Sequence, residues 1–297
     1  MSETKPFFSI IIPTYNRADL IGKTLTSVLH QTFTDFEVIV VDDGSTDATK
    51  QVVESFKDER LKYIYQNNSE RGAARNNGTK KSSGQYVTFL DSDDLFMHHH
   101  LETVFKNLQQ HSFPPFYHQS FQIEDTAGVI DEYHINIFKN PTKVLLTKGN
   151  YFGCVGLFIK HDIANQFLFD ETRILAGSED YEMLLRLTLQ VPIICGKEST
   201  TRVINHEGRG EFSINKNKLI ARIDYLLNKA LTNEGFIIKN KKCLNAFIST
   251  NYSFVALHLA IAKEKKTAIR FLIKAIKANP SSIFSKRIVI VFYKILF

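Results

Sequence analysis

Cysteine is scarce. Three residues in 297, Cys154, Cys195 and Cys243, are odd in number, far apart and without metal-ligand spacing. A disulfide framework is excluded, and buried thiols in a reducing compartment are expected. No apolar run approaches the roughly 20 residues of a membrane-spanning helix. The first six residues are polar and the run 7–12 is too short for a signal-peptide core, so a cytoplasmic location is expected. Internal repeats and low-complexity tracts are missing too. Acid is scarce in one region only. Residues 216–297 hold 3 Asp+Glu against 16 Lys+Arg, a balance of +13, whereas residues 1–215 hold 28 against 21, a balance of −7. The net charge of +6 hides this asymmetry. It divides the chain into an acidic body, 1–215, and a basic helical region, 216–297, with different partners.

What is present is the composition of a globular protein, 43% hydrophobic and 23% charged. Buried-strand patterns at 9–12, 36–41, 61–65 and 86–90 alternate with helical patterns at 18–30, 47–56 and 72–82. Ser45 or Thr46 is the expected cap of the second helix. Such alternation implies an α/β fold with a mostly parallel sheet, a Rossmann-like nucleotide-binding half over roughly residues 7–94. Farther on, the pattern predicts a helix at 96–111, strands at 116–123 and 129–137, and a helix at 180–189. From Lys216 onward it is helical. The stretch 254–280 reads as a helical hairpin closed by Asn279-Pro280. Its alanine spacing resembles one tetratricopeptide unit, which cannot form a solenoid alone.

Three acidic clusters carry the chemistry: Asp42-Asp43-Gly44-Ser45, Asp91-Ser92-Asp93-Asp94 and Glu179-Asp180. The first two follow the apolar runs 38–41 and 86–90. Carboxylates at the carboxyl ends of buried strands stand where an open α/β sheet places its ligand. Asp-x-Asp at such an edge can hold a hard cation through oxygen, and a cation there suits a diphosphate. Each cluster also has a plain structural use. Asp42 can form a turn beside Gly44, Asp94 can cap a helix starting at Leu95, and Asp180 can sit in a helix amino end. The triple His98-His99-His100 is not expected to bind metal, because adjacent helical residues point different ways.

Five motifs in order strengthen the ligand reading. They are 9–17 (SIIIPTYNR), 41–47 (VDDGSTD), 72–78 (GAARNNG), 89–94 (FLDSDD), and 169–171 (FDE) followed by 177–182 (GSEDYE). Together they strongly resemble the family 2 glycosyltransferases of the GT-A fold, over roughly residues 7–212. The resemblance implies an inverting, metal-dependent transferase moving a sugar from a nucleotide-diphosphate donor, a UDP-sugar by its motifs, to a hydroxyl of a glycan or lipid-linked acceptor. Bacterial surface polysaccharide is the pathway it implies. Pro13, Thr14 and Tyr15 would pack the base and Asp43 accept from the uracil N–H. Arg75 would lie near the nucleotide, and Asp91 would reach the ribose or a metal-bound water. Asp93 would ligate Mg²⁺ or Mn²⁺, and Asp180, beside Glu179, would be the general base. In the loop 202–209, His206 is a candidate metal ligand and Arg209 a candidate diphosphate contact; either can equally be plain surface.

Two rivals stand beside this reading. A catalytically silent sugar-nucleotide-binding or scaffold protein would not need both Asp93 and Asp180. A nucleotidyltransferase would carry a glycine-rich basic loop after its first strand, where this chain has Pro13-Thr14-Tyr15-Asn16. The terminal stretch 283–297 is apolar with three cations and no acid. It can lie on an anionic membrane, making the protein peripheral on the inner face, or pack as a last helix. Nucleic acid is not expected, since no motif of that class interleaves with the cations.

Overall fold

The structure, a computed structural model, describes residues 5–133, 140–206 and 215–297. They form two compact units. The first comprises the described residues within Met1–Lys139 and Phe152–Glu207, the second those within Asn140–Tyr151 and Gly208–Phe297. The segment 140–151 therefore belongs with the basic helices, although the sequence reading assigned it to the acidic body.

The first unit opens as β1 (Phe8–Thr14), α1 (Ala18–Leu29), β2 (Phe36–Asp42), α2 (Thr49–Ser55), β3 (Leu61–Tyr65), α3 (Glu70–Lys81) and β4 (Tyr86–Phe89). These four strands lie parallel in the order β3-β2-β1-β4, with Phe8 opposite both Phe36 and Tyr86. Every residue of β1 and β2 is buried. This explains their unbroken apolar runs: both faces of the sheet are covered. Each buried Ile or Val contributes about 1.5–3 kcal/mol. Glycine sets how closely α3 rides on this sheet. A Cβ on Gly78 would stand 2.5 Å from Ile11 Cγ2, so only glycine lets the helix approach β1 and carry Arg75 to the sheet edge.

The remaining elements depart from the simple alternation. Leu95–Phe96 is a short strand, β5, and the next helix, α4 (His100–Gln110), starts four residues later than the pattern predicts. The run 116–123 breaks at Gln119-Ser120 into β6 (Phe116–His118) and β7 (Phe121–Asp125), which join different sheets. β8 (Gly128–Tyr133) pairs antiparallel with β7; the rest of the strand expected to 137 lies outside the described residues. Then follow α5 (Pro141–Lys148) of the second unit, β9 (Leu157–Lys160), α6 (His161–Gln166), α7 (Glu179–Leu187), β10 (Ile194–Cys195) and β11 (Thr201–Ile204). β9, β6 and β10 extend the main sheet beyond β4, with β9 antiparallel to both β4 and β6. A second sheet runs β5-β11-β7-β8.

The second unit is helical: α5, α8 (Lys216–Leu231), α9 (Glu234–Asn240), α10 (Leu244–Ile261), α11 (Lys265–Ala278) and α12 (Lys286–Leu296). α10 and α11 form the expected hairpin. Lys263 turns it at φ 61°, and the Glu264 N–H donates to Leu259 O at 2.8 Å. Phe247, Val255, Ala256 and Leu259 of α10 and Phe271, Leu272 and Ala275 of α11 are buried in its core. By length and composition α10 alone, among the described residues, could cross a membrane. In this unit it is the central core helix.

Candidate active site

The loops at the carboxyl ends of β1 and β2 are stitched together. Asn16, at φ 50°, donates its N–H to Ser45 Oγ at 2.9 Å and accepts from the Thr46 N–H at 2.8 Å. The Asp43 N–H reaches Thr14 O at 2.8 Å. Ser45 and Thr46 are thereby occupied and do not cap α2. Asp47 instead accepts at 3.0 Å from the N–H of Thr49, the first residue of α2. Gly44 holds φ 87°, and a Cβ there would meet the Asn68 nitrogen at 2.9 Å.

Within this frame the two aspartates of the first cluster differ. Asp42 accepts from the Ser45 N–H at 2.8 Å and the Tyr63 hydroxyl at 2.7 Å, one on each oxygen. Burial, then this carboxylate, pushes the Tyr63 hydroxyl well up from its ordinary pKa. Asp42 is a turn residue. Asp43 accepts from Gln66 Nε2 at 2.7 Å and the Ser69 N–H at 2.8 Å, both on Oδ1; Oδ2 takes part in neither. Of the three residues expected to pack a base, Pro13 and Thr14 are buried in β1 and only Tyr15, 48% exposed, offers a ring face.

Arg75 is the centre of the site. Its side chain is 2% exposed, yet it makes two 2.7 Å ion pairs: Nη2 to Asp91 Oδ1 and Nη1 to Glu179 Oε1. The guanidinium lies 5.4 Å from the Phe169 ring centre. Glu179 Oε2 accepts from the Gly177 N–H at 2.7 Å. Burial opposes ionisation of Glu179, but Arg75 and then Arg71 outweigh it, so its pKa lies below the usual carboxylate value. The sequence expectation puts Arg75 near the nucleotide; in the structure its guanidinium ties the end of β4 to the first turn of α7, where Asp180 sits half-buried. Buried Cys154 feels the same charges. Burial pushes its thiol up, Arg75 pulls it down, and Asp180, Asp91 and Glu179 add to the rise. The loop that carries it is set by His118, whose Nε2 lies 2.8 Å from Phe152 O, and by Gly153 and Gly156, both at positive φ.

The Asp-x-Asp loop faces the second sheet. One oxygen each of Asp91, Asp93 and Asp94 lies within 4.8 Å of the others. The capping use of this cluster fails, because Leu95 enters a strand and not a helix. Asp94 accepts from the Ile204 N–H at 3.0 Å and fixes β11. β11 in turn delivers His206, whose Nε2 stands 3.1 Å from Asp93 Oδ2. Arg17 Nε is 3.8 Å from the same oxygen. Three carboxylates with one imidazole at their edge fit a hard divalent cation. Arg209 lies outside the described residues. The histidine triple is split: His100 is fully buried, stacked on Phe96 and bonded to Thr200 at 2.7 Å, while His98 and His99 are exposed. In the sequence Arg17 stood only within a motif, Cys154 only as an expected buried thiol and His118 in no role; Arg17 meets Asp93 across 76 residues of chain.

Known proteins resemble this chain in sequence and fold. The profile of Glycosyl transferase family 2 matches residues 9–159, half of the chain. An uncharacterized glycosyltransferase of Rickettsia bellii is 46% identical over 121 residues, which are 40% of this chain and 17% of that protein. The Escherichia coli UDP-Glc:alpha-D-GlcNAc-diphosphoundecaprenol beta-1,3-glucosyltransferase WfgD is 29% identical over 260 residues, 79% of this chain and 97% of WfgD. Lengths differ widely among relatives: the chain spans only 17% to 23% of several curated ones it matches. Among solved structures, S. aureus TarS 1-349 in complex with UDP-GlcNAc superposes with a TM-score of 0.71 at 22% identity, covering 98% of this chain and 88% of that one. With the family profile spanning half of its residues and a GT-A fold beneath the motifs, the chain belongs to glycosyltransferase family 2.

Proposed function

We propose that this chain transfers a sugar from a UDP-sugar to a hydroxyl of a glycan or lipid-linked acceptor, with inversion at the anomeric carbon. The observation that carries the proposal is the Asp91–Arg75–Glu179 bridge, which ties the Asp-x-Asp loop to the first turn of the helix that holds Asp180. Tyr15 supplies a face for the base and Asp43 an acceptor for its N–H. Asp180 takes the proton of the acceptor hydroxyl as its oxygen attacks the anomeric carbon. The bond from that carbon to the diphosphate breaks, and the electron pair leaves with UDP. The amino end of α7 favours the ionised base. Asp91 and Asp93, with His206 at the edge, would hold Mg²⁺ or Mn²⁺. A bound cation supplies positive charge for the leaving diphosphate. The lipid-linked acceptor is supported by WfgD, a diphosphoundecaprenol glucosyltransferase aligned over most of this chain.

The direct experiment incubates the protein with a panel of nucleotide sugars, Mn²⁺ and polyprenyl-diphosphate glycans, and follows UDP release and product mass. Turnover with one UDP-sugar, absent in Asp180→Asn, is expected. UDP binding without transfer or hydrolysis of any donor would leave the silent binding protein as the better reading.

A further inference from the structure

Glu264 is the last acid of the chain. Between it and Phe297 stand eight Lys+Arg and no Asp or Glu. Within this stretch α12 is anchored on one side only. Ile288 and Val291 are fully buried, and Arg287 donates to Thr250 O at 3.0 Å and Lys148 O at 3.1 Å. Ser285 caps the helix through the Ile288 N–H. The opposite side is apolar and uncovered: Val289 is 56% exposed, Ile290 36%, Phe292 40%, Tyr293 57% and Leu296 72%. Spacings of three and four place Val289, Phe292, Tyr293 and Leu296 on a single stripe. Phe284, in the 3-10 turn just before α12, is 88% exposed. Side chains of this size leave on the order of several hundred Å² of apolar surface in one region, the scale at which a patch marks a contact.

We infer that this face of α12 docks in the headgroup and acyl boundary of an anionic lipid bilayer. Three observations favour that occupant. Lys286 and Lys294 lie on α12 itself, in a stretch without acid from 265 to 297, which suits an anionic surface and not a second copy of the same cations. Eleven residues of helix reach only about 16 Å, too short to span but long enough to lie flat. The stripe combines aromatic and aliphatic side chains whose inward neighbours already hold the helix, so docking needs no unfolding. The sequence alone left membrane contact and packing as rivals. They are the two faces of one helix. This inference does not rest on the transfer reaction.

The test is co-sedimentation of the full chain with phosphatidylglycerol–phosphatidylcholine vesicles at low salt, without donor or acceptor. Wild type is expected to bind these and to bind pure phosphatidylcholine at least tenfold less. The pair Val289→Glu with Tyr293→Glu, both on the exposed stripe, is expected to lower binding tenfold or more while the melting temperature and its shift by UDP stay as in wild type. A second variant, Leu296→Ser, guards against misfolding of the first and is expected to weaken binding by a smaller factor. High salt should release the wild type in part. Wild type that ignores anionic vesicles, or a folded stripe variant that binds as well as wild type, overturns the inference. So does a dimer in light scattering that the stripe variant dissolves while vesicle binding is absent; the face would then be a contact between copies.

Discussion

The two units treat charge in opposite ways. The first buries it in matched sets: Arg75 sits between Asp91 and Glu179 at 2.7 Å, and Glu37 is held by Ser9, Ser83 and Lys62. The second keeps charge outside, as in the Lys216–Glu264 pair, whose side chains are 37% and 45% exposed, and leaves apolar side chains uncovered on α12. A buried ion set is a poor source of stability, because desolvation offsets most of the attraction, but it fixes geometry. Surface charge does neither, and serves attraction at a distance. The first unit thus uses charge to fix position, and the second, on the inference above, uses it at a surface.

The sharpest way to break this comparison is at Asp180. Asp180→Asn is expected to lower transfer about 10³-fold, within the usual range for losing a general base, with UDP affinity held within a few-fold. A parallel collapse of UDP binding, measured by calorimetry, would make Asp180 a structural residue.

Arg75→Met asks whether the buried set acts as a unit. Removing one partner strands two carboxylates, one of them almost fully buried, and is expected to cost about 3–5 kcal/mol in chemical denaturation. The pH dependence carries a sign. In the wild type the Glu179 pKa is depressed, so its contribution is full above the ordinary carboxylate range and is lost as pH falls through the lowered value. The gap between wild type and Arg75→Met should therefore narrow on acidification below about pH 4.5. A gap independent of pH would remove Glu179 from the account.

Much of this was legible in the sequence, and physics says which part. Strands β1, β2 and β4 are covered on both faces, so they read as apolar runs, and their terminal aspartates stand out at once. Arg75 was recognisable as a motif cation near the nucleotide, but its two carboxylate partners were not. Its partners are 16 and 104 residues away, and only the close approach of α3 at Gly78 brings them together. The run 116–123 looked like one strand because a switch between sheets at Gln119-Ser120 leaves the local apolar pattern intact. Segment 140–151 joined the helical unit for similar reasons: Thr147 O accepts from the Thr250 hydroxyl, a pairing with no local signature. For α12, periodicity disclosed an apolar helix but not which of its sides would be covered.

A smaller effect is expected at the metal motif. Asp93→Asn keeps size and removes charge, and transfer should fall about 10²-fold in a protein that melts like wild type. Equal, metal-independent rates in both proteins would contradict the assignment. The least effect is expected in the second unit. Lys216→Ala breaks an exposed pair and should change stability by about 1 kcal/mol or less, checked by urea denaturation. A loss as large as that of Arg75→Met would erase the distinction between the units.

The central claim is that a carboxylate-held cation and a nucleotide share one site in the first unit. The melting temperature with UDP, with and without Mn²⁺, tests it in wild type and Asp93→Asn. At a UDP concentration about 100-fold above its Kd, binding to the folded form alone should stabilise the wild type by about 2.7 kcal/mol. That shift should appear with Mn²⁺, shrink without it and be small in Asp93→Asn under both conditions. Equal UDP shifts in all four samples would contradict the claim.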